Sequence, residues 1–160
     1  MVIKVVVLAL SKSGENMAKS IAEKFDIPFH GRIDRVKNAD VYFSNSIEHI
    51  RDLFLSGYSI IGVCASGILI RAIAPFISNK EVDPAVVSVA EDGSVVVPLL
   101  GGHYGANRLA REISNIVNGV AAVTTAGDIA LGAALDEPPI GYFLQNRTDA
   151  KNVMMKLLSG

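Results

Sequence analysis

The chain is short of several things, and each shortage closes a class of function. It holds one cysteine, Cys64, so no internal disulfide can form; Cys64 lies in an apolar run and reads as a small buried hydrophobe. A reducing compartment, and so a cytoplasmic location, is expected. Tryptophan is absent and only 6% of residues are aromatic, leaving Val, Ile, Ala and Gly to build the interior. Charge of either sign is sparse: 15 Lys and Arg against 16 Asp and Glu give a net charge of -1. No basic footprint serves nucleic acid, and no polybasic run serves an anionic membrane, so neither partner is expected. No apolar run approaches the ~20 residues of a membrane helix. Val2 to Leu10 is apolar but lacks a basic leader and a small-residue cleavage site, so it reads as a strand and not as a signal peptide. The three histidines include no zinc-ligand spacing, so no metal site is expected and His30 and His49 receive no role. Neither a P-loop nor a GxGxxG fingerprint is present, and there is no internal repeat.

What remains is apolar residues in strand and helix periods. Val2 to Leu10 and Tyr58 to Ala65 are nearly continuous apolar runs, as expected of strands covered on both faces of a parallel sheet. Each breaks at a small-residue turn, Ser11-Lys12-Ser13-Gly14 or Ser66-Gly67, into a segment with helical apolar spacing: Met17, Ile21, Ala22 and Phe25, or Ile68, Leu69, Ala72 and Ile73. Ala39 to Phe43 suggests a short strand, Ile47 to Phe54 a helix ending near Gly57; Phe29 to Arg35 gives no clear signal. Ala85 to Ala90 and Ser94 to Leu99 flank Glu91-Asp92-Gly93, a hairpin turn in which Gly93 takes the positive φ. A helix from Ala106 to Val117, a strand over Val120 to Val123 and a terminal helix near Asp149 to Leu158 complete the reading. Alternation of this kind predicts a three-layer α/β domain: a mostly parallel sheet, helices on both faces, one antiparallel hairpin. Residues 1–160 are expected to form one domain.

Ligands of such folds bind beyond the carboxyl ends of the strands, where helix amino termini present unpaired N–H groups suited to anions. Four turns therefore come forward: Ser11 to Gly14, Ala65 to Gly67, Gly101 to Gly105 and Thr124 to Asp128. Together they would line one cleft, although glycine-rich turns also serve strand–helix geometry alone. His103 lies in the third turn, where an imidazole can exchange a proton near neutral pH or simply bind the loop backbone. Asn107 sits one helical turn on. Arg71, one turn into its helix, is placed to grip a carboxylate or to lie solvated. Asp128 is a base, a partner for a histidine, or an ordinary turn residue.

As a set these turns resemble the amino-terminal domain of the CbiG family of cobalamin biosynthesis. The resemblance rests on CASGILIRAIAPFI from Cys64, on PLLGGHYGANRLAREI from Pro98, on AAVTTAGD from Ala121, and on Asp83-Pro84-Ala85 with the acidic-Gly hairpin between the first two. The loop after His103 is one glycine shorter than the usual family form and Gly127 replaces a threonine, a spelling similar to versions joined to a precorrin methyltransferase. The resemblance implies part of a longer protein that opens the ring-A lactone of cobalt-precorrin-5A by hydrolysis, with loss of acetaldehyde. It implies His103 and Asp128 as catalytic residues. Ser66, Gly67, Arg71, Gly101, Gly102, Gly105, Asn107, Arg108, Thr124 and Thr125 would hold the corrinoid. No cofactor is implied, since cobalt arrives in the substrate. The expected partners are a corrinoid intermediate and a fused or associated methyltransferase or CbiG carboxyl-terminal domain. A noncatalytic corrinoid-binding module, and a generic phosphate-binding α/β domain, are the alternatives.

Overall fold

The computed structural model describes residues 4–80, 82–102, 105–125 and 141–159. They fall into two compact units, Met1–Ala122 and Val123–Gly160.

The first unit follows the apolar pattern. Strand β1 (Val5–Ala9) leads through α1 (Lys12–Phe25) to β2 (Phe29–Arg32) and β3 (Val41–Phe43), then through α2 (Ser46–Leu55) to β4 (Ser59–Val63). Helix α3 (Ser66–Ile73) runs into a short 3-10 turn, Ala74–Phe76, where Pro75 stops it. Strands β5 (Val86–Val89) and β6 (Val95–Leu100), helix α4 (Ala106–Val117) and the two-residue β7 (Val120–Ala121) follow. The described strands make one sheet in the order β3-β2-β1-β4-β5-β6-β7. Every neighbouring pair is parallel except β5–β6.

Two apolar layers sandwich that sheet. On one face Val7, Ala9, Ile61, Val63, Val87 and Val89 pack under Ala18, Ile21 and Ala22 of α1 and Ala106, Ala110 and Ile113 of α4. On the other, Val6, Leu8, Ile60 and Val86 meet Ile50, Leu53 and Phe54 of α2 and Leu69, Ala72 and Ile73 of α3. Alternate residues of β1 and β4 feed opposite layers, which is why both strands read as unbroken apolar runs. The three-layer α/β expectation therefore stands, as does the hairpin. Gly93 takes φ +76 at its turn, and Asp92 accepts from Ser94 N at 2.9 Å.

The sheet corrects the sequence reading in two places. Phe29–Arg32 is a strand, paired with β1 and β3, although its own residues carry no strand signal. The last strand of this unit is shorter than expected, ending at Ala121.

In the second unit, α5 (Arg147–Ser159) spans the expected terminal helix. No helix among the described residues is long and apolar enough to cross a membrane.

Candidate functional site

The antiparallel β6 divides the predicted site into two. Strands β1, β4 and β5 all point one way, so Ser11–Gly14 and Ala65–Gly67 lie at the carboxyl end of the sheet. Strand β6 returns, pairing Leu100 with Val86, and delivers the Gly101–Gly105 loop to the opposite end. The two ends are separated by Ala85 to Ala90, roughly 17 Å at about 3.3 Å per residue. One cleft framed by both turns does not form.

The carboxyl end is the switch point of the sheet, where the chain turns left from β1 to β2 and right from β4 to β5. Beside it, at the carboxyl ends of β4 and β5 and along the hairpin, opens a cleft of about 450 Å³ lined by Cys64, Ala65, Ser66, Ser88, Glu91, Val95 and Val97 among others. Ser11 caps α1 by accepting from Gly14 N at 3.2 Å, and its hydroxyl donates in turn to Glu91. Ser13 donates to the other Glu91 oxygen at 2.5 Å. The α1 terminus thus already faces a carboxylate of the protein itself, and a second anion brought there would be repelled by it. Ser66 and Gly67 open α3, whose preceding Ala65 supplies no side-chain cap. Arg71 is exposed but donates from Nη1 to Gly67 O at 3.2 Å, folding back along its own helix. Burial pushes the Cys64 thiol up to about 12, with the Glu91 charge adding to the effect, so it is not a nucleophile.

The Ser11 and Ser13 hydroxyls hold the Glu91 carboxyl below its ordinary value. A group depressed in the folded state stabilises it above its unfolded pKa and loses that contribution as pH falls through the folded pKa. Because Glu91 is largely solvated the contribution is small. The urea midpoint of the parent chain is expected to exceed that of Glu91→Gln at pH 7, the gap closing on acidification through the carboxylate range. A gap independent of pH would contradict this.

At the amino end, the loop after β6 is seated by its glycines. Gly101 takes φ +80 and lies against Pro84 and Ala85, so closely that a Cβ would stand 2.6 Å from Ala85 Cα. Gly102 has nothing within 4 Å of such a Cβ. Gly105 caps α4 at φ +84, without a side-chain cap; Gly105 N donates to Gly102 O and Ala106 N to Gly101 O, both at 3.1 Å. Beside this loop is a pocket of about 320 Å³ whose wall is Val5, Phe25, Ile27, Ala85 and Leu109 and whose polar groups come from Ser59, Arg108 and Glu112. Arg108 Nε lies 3.9 Å from Glu112 Oε1, half exposed. Asn107 is buried at 6% on the first turn of α4. This end therefore gathers five of the predicted residues: Gly101, Gly102, Gly105, Asn107 and Arg108.

Thr124 and Thr125 belong to the second unit, where both are exposed and lie outside helix and strand. His103 and Asp128, the two predicted catalytic residues, lie outside the described residues.

Two contacts escape the sequence. Glu91 meets Ser11 and Ser13 across 78 to 80 residues. His30 and His49 meet at 2.8 Å between Nδ1 and Nε2, and the His49 ring stacks on Phe43 at 4.2 Å. Burial, then the neighbouring His49, pushes His30 down to about 4, and burial pushes His49 down as well. No cluster of three or more metal-ligating side chains occurs among the described residues.

Comparison with known proteins bears on the family of the chain. The family described as Cobalamin synthesis G N-terminal matches residues 48–128, which include both ends and the hairpin. A cobalt-precorrin-5A hydrolase of Priestia megaterium is 30% identical over 131 residues, covering 77% of this chain and 35% of the relative. One of Salmonella typhimurium is 34% identical over 120 residues, covering 74% and 30%. The chain thus spans about a third of the length of these relatives. The crystal structure of a cobalamin biosynthesis protein G homologue from Sulfolobus solfataricus superposes with a TM-score of 0.58 at 24% identity, over 98% of this chain and 46% of the other, and shares the fold. With half the chain matched by one family, the ordered turns and the doubly wound sheet have a single account: the chain belongs to the cobalamin synthesis G amino-terminal family.

Proposed function

We propose that this chain carries the lactone-opening step of corrin ring construction, adding water to the ring-A lactone of cobalt-precorrin-5A, after which a two-carbon unit leaves as acetaldehyde. Similarity to relatives named for that hydrolysis supports the reading. The observation that carries it is the amino-end pocket beside the Gly101–Gly105 loop. At about 320 Å³ it stands near the lower end of the ~300–1,000 Å³ of small-molecule sites, so it takes one edge of a macrocycle and not the whole ring. Its apolar wall suits the ring edge, and Arg108 at the rim suits a peripheral carboxylate. In this reading His103 takes a proton from water as the oxygen attacks the lactone carbonyl. The positive end of the α4 dipole favours the oxyanion, while Gly105 N and Ala106 N, given to Gly102 O and Gly101 O, and Asn107 hold the turn. Cobalt belongs to the substrate.

A second reading is favoured by one fact, that the chain spans about a third of its named relatives. In that case the domain binds the corrinoid without acting on it and presents it to a further domain or to a methyltransferase. Incubating the purified chain with cobalt-precorrin-5A under anaerobic conditions separates the two. Release of one acetaldehyde per corrinoid supports hydrolysis. Corrinoid retained through gel filtration with no acetaldehyde supports the module, and no retention at all overturns both.

A further inference from the structure

We infer that Asp83 is a positioning residue for the Gly101–Gly105 loop, acting through Pro84 and Ala85 and not on the substrate. Asp83 is 4% exposed, and its carboxylate is held by neutral donors of the preceding loop. Ser78 N donates to both oxygens, at 3.3 and 3.2 Å; Ser78 Oγ donates at 3.2 Å and Asn79 N at 3.1 Å. The Asp83 N–H donates back to Asn79 O at 2.9 Å. A ring of chain from Ser78 to Asp83 is thereby closed just before β5 begins. Burying a carboxylate is costly unless hydrogen bonds offset it, and here the bonds from Ser78 and Asn79 do so while tying Asp83 to the preceding loop.

The residues that this ring holds still are Pro84 and Ala85. These two form the seat of Gly101: a Cβ there would meet Ala85 Cα at 2.6 Å, Pro84 O at 2.7 Å and Ala85 N at 2.8 Å. Only a residue without a Cβ fits against them, so Pro84 and Ala85 limit where the Gly101 backbone can stand, and a displacement of either changes that limit. The register between β5 and β6 also shifts between Val86 and Val87, leaving Leu99 as an extra residue that re-aims the end of β6 toward this seat. From Gly101 the displacement continues through Ala106 N to α4, since Ala106 N donates to Gly101 O. Asp83 thus sets where Gly101 stands and, through it, where α4 begins beside the pocket.

This inference rests on the reading of the Gly101–Gly105 loop as the reacting site, but its physical half can be measured without substrate. Asp83→Asn keeps the shape and places an amide NH₂ against donors. Its hydrogen exchange at Gly101–Ala106 is expected to quicken about tenfold or more by local opening, with the amides of α1 unchanged. In turnover, kcat is expected to fall roughly tenfold to a hundredfold with KM within about twofold, as for a misplaced reacting group. If the parent chain releases no acetaldehyde, the proposed function fails and the exchange result alone decides the positioning role. Should Asp83→Asn not fold, Ser78→Ala, which removes only the hydroxyl bond, should quicken the same amides to a smaller degree. A folded variant with unchanged exchange at Gly101–Ala106, or a fall in turnover that lies in KM alone, overturns the inference.

Discussion

Gly101→Ala should unfold at a temperature about 10 °C below the parent chain, while Gly102→Ala unfolds within a degree or two of it. Two costs add at Gly101. Its φ of +80 lies where an L side chain costs roughly 1–2 kcal/mol. The new methyl would also overlap backbone atoms of Pro84 and Ala85 at 2.6 to 2.8 Å, and backbone cannot rotate aside as a side chain can. Overpacking of this kind costs roughly 1–3 kcal/mol, so the sum centres near 3 kcal/mol, at 2–4 °C per kcal/mol for a chain of this size. At Gly102 a methyl meets nothing within 4 Å. Thermal unfolding of the two variants side by side is the measurement, and equal losses would mean that Gly101 is not seated as described. Gly102→Ala that folds normally yet loses acetaldehyde release would support a role for the Gly102–Gly105 turn at the substrate.

His103→Ala should lower lactone opening by roughly a hundredfold to ten-thousandfold, the usual worth of a general acid or base. A base must be unprotonated to accept from water, so kcat/KM of the parent chain should rise with pH as the imidazole loses its proton. That ascending limb should vanish in the variant, leaving a low, flat profile. The alternative named from the sequence, an imidazole that only ties its loop together, makes a different prediction. Turnover would then fall a fewfold, KM would rise, and the limb would persist. A persisting limb would remove His103 from the chemistry and move the search to the carboxyl-end cleft, where Glu91 and Asp92 are the carboxylates at hand.

How far the fold could be read from the sequence depended on where each signal was stored. Strands β1 and β4 were legible because both faces are buried, which writes the strand into an unbroken apolar run. The hairpin was legible because Gly93 is the local cause of its turn. Phe29–Arg32 was not, since a strand of Phe, His, Gly and Arg is made by its pairing with β1 and β3 and not by its own residues. The shared cleft was a different kind of error. Each glycine-rich turn was placed correctly at the end of its own strand, but β6 runs against its neighbour, so its carboxyl end is the amino end of the sheet. That inversion was implicit in the hairpin. Contacts such as Glu91 with Ser11, or His30 with His49, join residues with no common period and are invisible before the sheet is assembled.

The lone cysteine gives the molecule a built-in clock. Cys64 is 6% exposed at the end of β4, the strand between β1 and β5, and its thiol is held up to about 12. Disulfide reagents attack through the thiolate, so in the native state they meet only a protonated, nearly covered sulfur on the wall of the carboxyl-end cleft. Labelling quickens when the centre of the sheet opens, and there is no second thiol to confuse the count. The rate at which a chromogenic disulfide is consumed therefore reports the opening of the first unit, and any ligand that binds only its closed form slows that rate in proportion to its occupancy.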